Sequence, residues 1–374
     1  MNLDLLKFSI GITLINGIGN NLAKNLIAYL GNEEAVFKEK KKVLSKVPGI
    51  GNVLAEEIVN QRQVLQRAEQ EIEFIVKNNI QCYYFTDKDY PFRLKECPDA
   101  PLVLYAKCSQ NLNDAKFLSI VGTRKATDYG KGICKKFIHE LSAVPNLVIV
   151  SGLAYGIDIY AHKTALEAGI PTIGVIAHGL DRIYPESHRS TAVRMLQQGG
   201  LITEYISKTN PDRQNFVQRN RIIAGLSDAV VVVESAAKGG ALITADLAND
   251  YNRDVFAFPG RIDDEWSVGC NTLIKTNRAS LIDTTGDFMK TMGWENQSPA
   301  DQSHRQQELF VELTDDEQFI YTSVRKYPEG IQVNQLAVET AMSFSKLTAI
   351  LLQMEFKMLL KCLPGGIYKA LNLV

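Results

Sequence analysis

The sequence has no long apolar run, no paired cysteines and no excess of either charge. Each of these absences excludes a class of protein. No stretch approaches the roughly 18 consecutive apolar residues that a membrane-spanning helix needs. The 6 cysteines occur singly, without a Cys-x-x-Cys pair or a histidine at metal-ligand spacing, so we expect neither a metal site nor a disulfide framework. The N-terminus contains no signal-peptide pattern. We therefore expect a cytoplasmic protein that has no contact with a membrane.

The charge balance limits how this chain could bind a polyanion. It has 41 lysines and arginines against 42 aspartates and glutamates in 374 residues, so the field of the whole protein does not attract nucleic acid. A nucleic-acid site would have to be a local patch of basic residues. At roughly 150 residues per domain, the length predicts two or three domains.

The N-terminal part contains a repeat of two copies. Residues 14–27 align with residues 46–59, which places Gly17-Ile18-Gly19 over Gly49-Ile50-Gly51. Each copy predicts two helices joined by a glycine hairpin, so we interpret residues 1–78 as a tandem helix-hairpin-helix domain of the SAM-like class. The hairpin amides of such modules can face a DNA phosphate. The alternative is a compact packing unit, which the near-equal numbers of basic and acidic residues in this part of the chain support.

Short apolar runs alternate with helical patterns from residue 79 to residue 293. This alternation is typical of a mostly parallel sheet with helices on both faces, so we predict an extended Rossmann-like α/β domain here. The run AVVVVE at 229–234 is apolar until its last residue, as a central strand covered on both faces should be. We expect Glu234 to lie at the carboxyl edge of the sheet, where ligands of such folds bind. The predicted strands are 117–122, 147–151, 171–177, 200–203, 229–234, 254–258 and 280–283, and 81–86 also has strand composition.

The C-terminal part is predicted to be a separate domain behind a linker. Residues 294–312 are polar without periodicity, as in a linker, and residues 313–374 predict three helices and a hairpin at Pro364-Gly365-Gly366, the pattern of a winged helix. Acidic residues outnumber basic ones by 10 to 7 over residues 291–374, and the candidate recognition helix has Lys346 as its only cation. We therefore expect this domain to contact protein rather than DNA. The alternative is that it packs against the Rossmann body or its dimer mate.

Three glycine-rich turns are predicted at the carboxyl ends of strands, and each opens a helix. Backbone amides in such turns bind phosphate groups. In chain order, the turns contain Gly122, Thr123 and Arg124; then Ser151, Gly152 and Tyr155; then Lys238, Gly239 and Gly240. We expect the turns to meet at one edge of the sheet and to form a site for a phosphate backbone.

A fourth element combines an aromatic side chain with two arginines just before the helix that leads to the central strand. Phe216 is suited to stacking on an unpaired base, and Arg219, Asn220 and Arg221 are suited to phosphates. The alternative is that Phe216 belongs to the core and that both arginines are ion-paired within the domain. Together with Arg124 and Lys238 of the glycine-rich turns, these arginines predict a basic groove on a protein without net positive charge.

The fingerprints of common Rossmann enzymes are missing. The turn at Gly122 is not a Gly-x-Gly-x-x-Gly motif, which argues against a nicotinamide cofactor. Ser151 does not stand in a Gly-x-Ser-x-Gly elbow, and Asp158 and His162, four residues apart on one helix face, can pair with each other rather than with a serine. We therefore expect no catalytic residue and no cofactor.

Taken in order, these motifs resemble the DNA-processing protein A family, also called DprA or Smf. The resemblance covers residues 80–283 and rests on Gly122-Thr123-Arg124, on SGLAYGIDIYAH at 151–162, on RNRIIAGLS at 219–227 and on FAFPG at 256–260. It implies a non-enzymatic, cofactor-free protein that binds and protects single-stranded DNA and forms a homodimer through the Rossmann domain. It also implies that the protein loads the RecA recombinase during natural transformation.

By the same resemblance, the family's DNA pocket falls on the positions that the charge argument selects. These are Arg124, Ser151-Gly152, Phe216, residues 219–221 and the glycine loop that begins at Lys238. This chain departs from the family pattern at two of its turns. Tyr155 replaces a lysine that several members carry, and Gly239-Gly240-Ala241 replaces the usual Ser-Gly-Ser, which removes two hydroxyl donors.

Two other classes of function stay open. A nucleotide phosphoribohydrolase of the lysine-decarboxylase-like group has a related Rossmann sheet, but its Pro-Gly-Gly-x-Gly-Thr-x-x-Glu signature is not met at 238–245. A pure interaction scaffold would leave the basic positions unexplained.

Overall fold

The computed structural model of this protein describes residues 3–61, 63–295, 313–328, 330–357, 359–363 and 365–371. The chain divides into two units, residues 1–295 and residues 296–374. The predicted linker lies outside the described residues from 296 onward, and the division of the chain into three domains stays a prediction. In the described part of the chain, no helix is long and apolar enough to cross a membrane.

A nine-stranded sheet forms the centre of the first unit. Its strands are β1 (Gln81–Tyr84), β2 (Val103–Cys108), β3 (Lys116–Val121), β4 (Leu147–Ser151), β5 (Thr172–Val175), β6 (Gly200–Thr203), β7 (Ala229–Val232), β8 (Asp254–Ala257) and β9 (Ser280–Leu281). Their order is β1-β2-β6-β5-β4-β3-β7-β8-β9. Neighbours from β6 to β9 are parallel, whereas β2 is antiparallel to both β1 and β6. The predicted mostly parallel α/β sheet and its seven strands are therefore confirmed.

The sheet also contains β2, which the alternation of strands and helices did not identify. That alternation detects parallel strands, because each of them needs a crossover helix. Since β2 is antiparallel to both of its neighbours, it lies outside the pattern.

Alternate residues of the central strands face two different cores. In β7, Val230 and Val232 pack into one core, and Ala229 and Val231 pack into the other. The helices of this unit are α1 (Leu3–Thr13), α2 (Asn20–Leu30), α3 (Glu33–Lys38), α4 (Lys41–Leu44), α5 (Asn52–Asn60), α6 (Val64–Lys77), α7 (Phe92–Lys95), α8 (Asp128–Glu140), α9 (Ile157–Glu167), α10 (Arg189–Gln198), α11 (Arg213–Leu226), α12 (Gly240–Asp250), α13 (Val268–Lys275) and α14 (Thr285–Met292). Helices α11, α12 and α13 supply the first core, and α8, α9 and α14 supply the second. The sheet is therefore covered on both faces, as predicted.

The two copies of the N-terminal repeat interlock. Gly17 and Gly49 have positive φ angles of 77° and 85°, a conformation that glycine adopts without strain. A Cβ on Gly17 would lie 2.9 Å from the side chain of Leu54, and a Cβ on Gly49 would lie 2.7 Å from that of Leu22. Because these leucines hold equivalent places in the repeat, each copy packs over the hairpin of the other. The helix-hairpin-helix class stays a prediction.

Buried polar contacts join the N-terminal helices to the sheet. Glu71 on α6 accepts hydrogen bonds from the amide and the hydroxyl of Ser207 at 2.9 and 2.5 Å. Arg67 donates to the Ser207 carbonyl at 2.6 Å. At the start of α2, the Asn20 side chain accepts a hydrogen bond from the Leu102 amide at 3.0 Å. The bond from Leu102 therefore ties the start of α2, just after the first glycine hairpin, to the residue that precedes β2.

In its described residues, the second unit contains three helices and a small antiparallel sheet. They are α15 (Asp315–Arg325), α16 (Val333–Thr340), α17 (Phe344–Phe356), β10 (Ile331–Gln332), β11 (Leu360–Leu363) and β12 (Ile367–Ala370), with strand order β10-β12-β11. Leu347, Leu351 and Met354 of α17 are fully buried, and Ile350 is half-buried against the same core. The three predicted helices and the hairpin are present, although Pro364 lies outside the described residues. The winged-helix class stays a prediction.

Candidate nucleic-acid interface

The strand order places a crevice at the carboxyl edge of the large sheet. The chain runs from β3 through β4 and β5 to β6 on one side, and it then returns to β7 on the other side of β3. Ligands of open α/β sheets bind at such a reversal of strand order. A cavity of about 1030 Å³ opens there, and the turns after β3 and β7 line it together with α11 and the start of α12.

Nine of the thirteen residues predicted for the site line this cavity. They are Gly122, Thr123, Arg124, Phe216, Arg219, Asn220, Lys238, Gly239 and Gly240. The wall also contains Lys125, Tyr184, Arg213 and Trp266, which the sequence analysis did not select. Lys125 and Arg213 adjoin predicted motifs, so a search for cations near the turns would have found them. No comparable signal marks Trp266.

The turn after β3 is shaped by close contact with its neighbours. A Cβ on Gly122 would lie 2.4 Å from a side-chain carbon of Ile157, so a larger residue would push α9 away from the turn. The Thr123 amide donates to the Glu234 carbonyl at 2.8 Å, and the Thr123 carbonyl accepts from the Ile157 amide at 3.1 Å. These contacts fix the backbone that carries Arg124 and Lys125.

Glu234 lies at the carboxyl edge of the sheet, as predicted, but its side chain faces the interior. It is 1% exposed, and its carboxylate accepts hydrogen bonds from the Thr127 amide at 3.0 Å and from the Thr127 hydroxyl. A Cβ on Gly130 would lie 2.1 Å from a Glu234 carboxylate oxygen. Glu234 therefore stabilises the start of α8 and does not face the cavity.

Arg219 is directed into the protein rather than toward solvent. It is 3% exposed, and its Nη1 donates to the carbonyl of Gly152 at 2.5 Å and to that of Val175. Burial lowers the pKa of Arg219 to about 10, and the nearby carboxylate of Asp158 opposes that change, so the guanidinium stays charged at neutral pH. Burial also disfavours the charged form of Asp158, and it therefore raises the pKa of that carboxyl. Arg219 thus braces α11 against the turn after β4.

Arg221 is also engaged within the protein and does not line the cavity. Its guanidinium forms an ion pair with Glu204 and donates to the Asp99 carbonyl at 2.8 Å. The alternative of an internal ion pair therefore describes Arg221, whereas Arg219 donates to backbone carbonyls.

Three residues of the turn after β4 also lie away from the cavity wall. The Ser151 hydroxyl is buried and donates to the Ile120 carbonyl at 2.6 Å, and the carbonyl of Gly152 accepts the bond from Arg219. Tyr155 is exposed, and its ring packs edge-on against His188 with 4.9 Å between the centroids. Ala154 of the same turn does line the cavity, so the turn reaches the site there rather than at these three residues.

Phe216 projects into the cavity and is half-buried. The guanidinium carbon of Arg124 lies 5.4 Å from the centre of its ring, and that of Arg219 lies 5.7 Å away. The ring of Tyr184 lies 5.9 Å from it, centroid to centroid. The ring therefore has cations beside it and a second aromatic ring close by.

Positive charge dominates the accessible wall. Arg124, Lys125, Arg213 and Lys238 are exposed there, and within the described residues none of them forms an ion pair with a carboxylate. The acidic groups of the wall are neutralised, since Asp158 lies beside Arg219 and Asp246 pairs with Arg278. A chain with a net charge of −1 thus concentrates unpaired cations at one cavity, which suits a polyanion.

The polar side chains behind the cavity do not form a catalytic relay. His162 Nδ1 is hydrogen-bonded to the Thr172 hydroxyl at 2.7 Å, and Asp158 accepts from the Ala154 amide at 3.4 Å, so the predicted pairing of Asp158 with His162 is wrong. Among the described residues, no group of three histidine, cysteine, aspartate or glutamate side chains is arranged to hold a metal ion.

Residues 81–293 match the family model of DNA recombination-mediator protein A. Among curated proteins, the chain is similar to the protein Smf of Synechocystis sp., with 38% identity over 75% of this chain and 70% of that protein. It is also similar to the DNA processing protein DprA of Bacillus subtilis, with 42% identity over 52% of this chain and 66% of that protein.

Two solved structures are similar to this one over most of their own length. DNA processing protein A of Streptococcus pneumoniae has a TM-score of 0.65 and 31% identity, and the match covers 79% of this chain and 99% of that one. DNA processing protein A of Helicobacter pylori, whose structure concerns its single-stranded DNA binding mode, has a TM-score of 0.52 and 30% identity. That match covers 57% of this chain and 95% of the other.

Proposed function

This chain belongs to the DNA recombination-mediator protein A family, and from that membership we propose that it binds single-stranded DNA in the cavity at the edge of its sheet, without catalysing a reaction. The proposal includes the roles that the family resemblance implies. These are protection of incoming DNA, loading of RecA during natural transformation, and a homodimer formed through the Rossmann domain.

One observation carries the proposal: unpaired cations and a projecting aromatic ring line the same cavity at the switch point of the sheet. The cations suit the phosphate backbone, and the ring suits a base. Each base in a duplex is covered on both faces by its neighbours, so only an unpaired strand can offer a base to Phe216. A single strand is therefore the preferred ligand.

The proposed contacts are divided between direct and supporting residues. Arg124, Lys238 and the amides of the glycine turn at 239–240 contact phosphates, and Phe216 contacts a base. Gly122 and Thr123 shape the turn that carries Arg124. Ser151, Gly152, Arg219 and Arg221 hold the elements that carry those groups through their internal hydrogen bonds and ion pairs. Asn220 supports the proposed site by donating to the Gly240 carbonyl at 3.3 Å, which links α11 to the start of α12. Tyr155 packs on His188 outside the cavity wall, so a contact between Tyr155 and DNA would lie beyond the cavity.

A binding titration tests this function directly. Fluorescence anisotropy of labelled single-stranded and duplex oligonucleotides, measured at two salt concentrations, gives both the preferred form and the number of phosphates engaged. We expect tighter binding to the single strand and an affinity that falls as salt rises. Equal affinity for both forms would contradict the role of the exposed ring, and no binding at low salt would refute the function.

The roles in recombination need separate measurements. With RecA, we expect added protein to shorten the lag before RecA filaments form on single-stranded DNA. Light scattering after gel filtration is expected to give twice the chain mass. A monomer at micromolar concentration would contradict the dimer.

The alternative function is a Rossmann-type nucleotide phosphoribohydrolase, since the glycine turn at 238–240 also opens a helix at the ligand edge of the sheet. Incubation with nucleoside monophosphates distinguishes the two functions. Release of free base would favour the enzyme, and intact nucleotide together with oligonucleotide binding would favour the mediator.

A further inference from the structure

Trp266 is a half-buried aromatic side chain in the wall of the same cavity as Phe216. The two rings come from different elements, because Phe216 lies on α11 whereas Trp266 lies in the turn that precedes α13. The cavity is large enough, at about 1030 Å³, to accept more than one base. A second ring in its wall therefore offers a second place for a base to stack.

The turn that carries Trp266 is held by its backbone and its neighbours. The Trp266 amide donates to the Asp264 carboxylate at 3.1 Å, and the Trp266 carbonyl accepts from the Ser235 amide at 2.8 Å. The hydroxyl of Ser267 donates to the same carboxylate at 3.0 Å. None of these bonds uses the indole ring, so the ring is positioned by the turn without being needed to hold it.

A cation lies over this ring, as one does over the ring of Phe216. The Lys125 Nζ atom lies 5.6 Å from the centre of the Trp266 ring, and the Arg124 guanidinium carbon lies 5.4 Å from the centre of the Phe216 ring. Because Arg124 and Lys125 are consecutive residues, a single stretch of backbone supplies both cations. The wall thus contains the same pair twice, a cation for a phosphate and a ring for a base.

We propose that Trp266 and Lys125 form a second nucleotide position, so that one DNA strand stacks one base on Phe216 and another on Trp266. This inference rests on the proposed function of the cavity, which it extends from a single stacking contact to two. Stacking on either ring tolerates any base, since every base has a π-face. The second position therefore strengthens binding without adding sequence preference.

The small number of tryptophans makes this contact directly measurable. The chain has 2, and the other, Trp294, is 7% exposed and packs edge-on against Phe288. In a Trp294→Phe protein the emission reports Trp266 alone. We expect an unlabelled oligothymidylate to quench that emission to saturation and to shield it from acrylamide. A Trp266→Phe protein, which keeps Trp294, should show no change.

Affinity measurements test the energetic part of the proposal. Trp266→Ala should weaken single-strand binding at least about fivefold, whereas Trp266→Phe, which keeps a stacking ring, should stay within about twofold of the native protein. Lys125→Gln should lower the slope of log affinity against log salt by about one. Phe92→Ala is the control, because it removes an exposed ring outside the cavity wall.

The outcomes separate this inference from the function on which it rests. If labelled single strands bind the native protein while Trp266 emission and the affinity of Trp266→Ala stay unchanged, the second position is refuted and the proposed function stands. If no oligonucleotide binds the native protein, the proposed function itself fails. The fluorescence of the Trp294→Phe protein decides the matter even where Trp266→Ala fails to fold.

Discussion

Replacing Phe216 with alanine is the sharpest test of how this cavity holds DNA. The ring is half-buried and lies close to Arg124, Arg219 and Tyr184. Loss of one base–aromatic stack costs about 1–3 kcal/mol of binding free energy, which raises Kd about 5- to 150-fold. Full burial of a phenylalanine side chain is worth about 1.5–3 kcal/mol, so losing a half-buried ring should cost roughly 1 kcal/mol of the free energy of unfolding. The variant is therefore expected to fold and to bind weakly.

The assay compares two phenylalanines that differ in their position. Kd for a labelled single strand is measured by anisotropy for the native protein, for Phe216→Ala and for Phe92→Ala. Phe92 is 46% exposed on α7 and lies outside the cavity wall, so its removal should leave Kd unchanged. A native-like Kd for Phe216→Ala, together with a lowered melting temperature, would show that the ring serves only the fold and would refute the stacking argument.

Three further predictions concern other parts of the molecule. Arg124→Ala should weaken binding to all sequences alike and lower the slope of log affinity against log salt by about one; an unchanged slope would mean that the arginine contacts no phosphate. Deleting residues 296–374 should leave single-strand affinity within about threefold, or ~0.7 kcal/mol, in the same anisotropy assay, whereas a tenfold loss would place DNA on the C-terminal unit. Burial lowers the pKa of His162 from 6.5 to about 3. Between these two pH values the His162 ring takes up a proton only in the unfolded chain, so the free energy of unfolding decreases as the pH falls from 6.5 toward 3. Between pH 7 and pH 5 this should cost about 2 kcal/mol, and urea unfolding of His162→Gln should show a flatter pH dependence than the native protein; equal dependence would contradict the assignment.

Local spacing was enough to predict the parallel part of the sheet and nine of the residues that line the cavity. Six of the seven strands predicted from short apolar runs are buried along nearly their whole length, because a strand covered on both faces needs apolar residues at every position. The seventh, β9, is exposed. Glycine turns that follow such strands predict where helices begin at the ligand edge. The switch of strand order then brings the turns at Gly122 and Gly239 to one cavity, although 117 residues separate them in the chain.

The roles of individual charged residues could not be predicted in the same way. Arg124 and Arg219 belong to equally basic motifs, yet Arg124 is exposed while Arg219 is 3% exposed and donates to buried carbonyls. Whether a cation is available to a ligand depends on the groups that surround it, and these come from distant parts of the chain. Glu234 shows the same effect, since its partner is the start of α8 rather than a ligand.

What the sequence by itself determined is the order of the elements and the positions of the turns, because hydrophobic period and backbone preference act between near neighbours. Only the tertiary structure decided which side chains share the cavity. Phe216 and Trp266 lie on separate elements, and nothing local to Trp266 predicts its place in the same wall. Their meeting depends on how α11, the turn after β3 and the turn before α13 pack around the edge of the sheet, which is a long-range property of the fold.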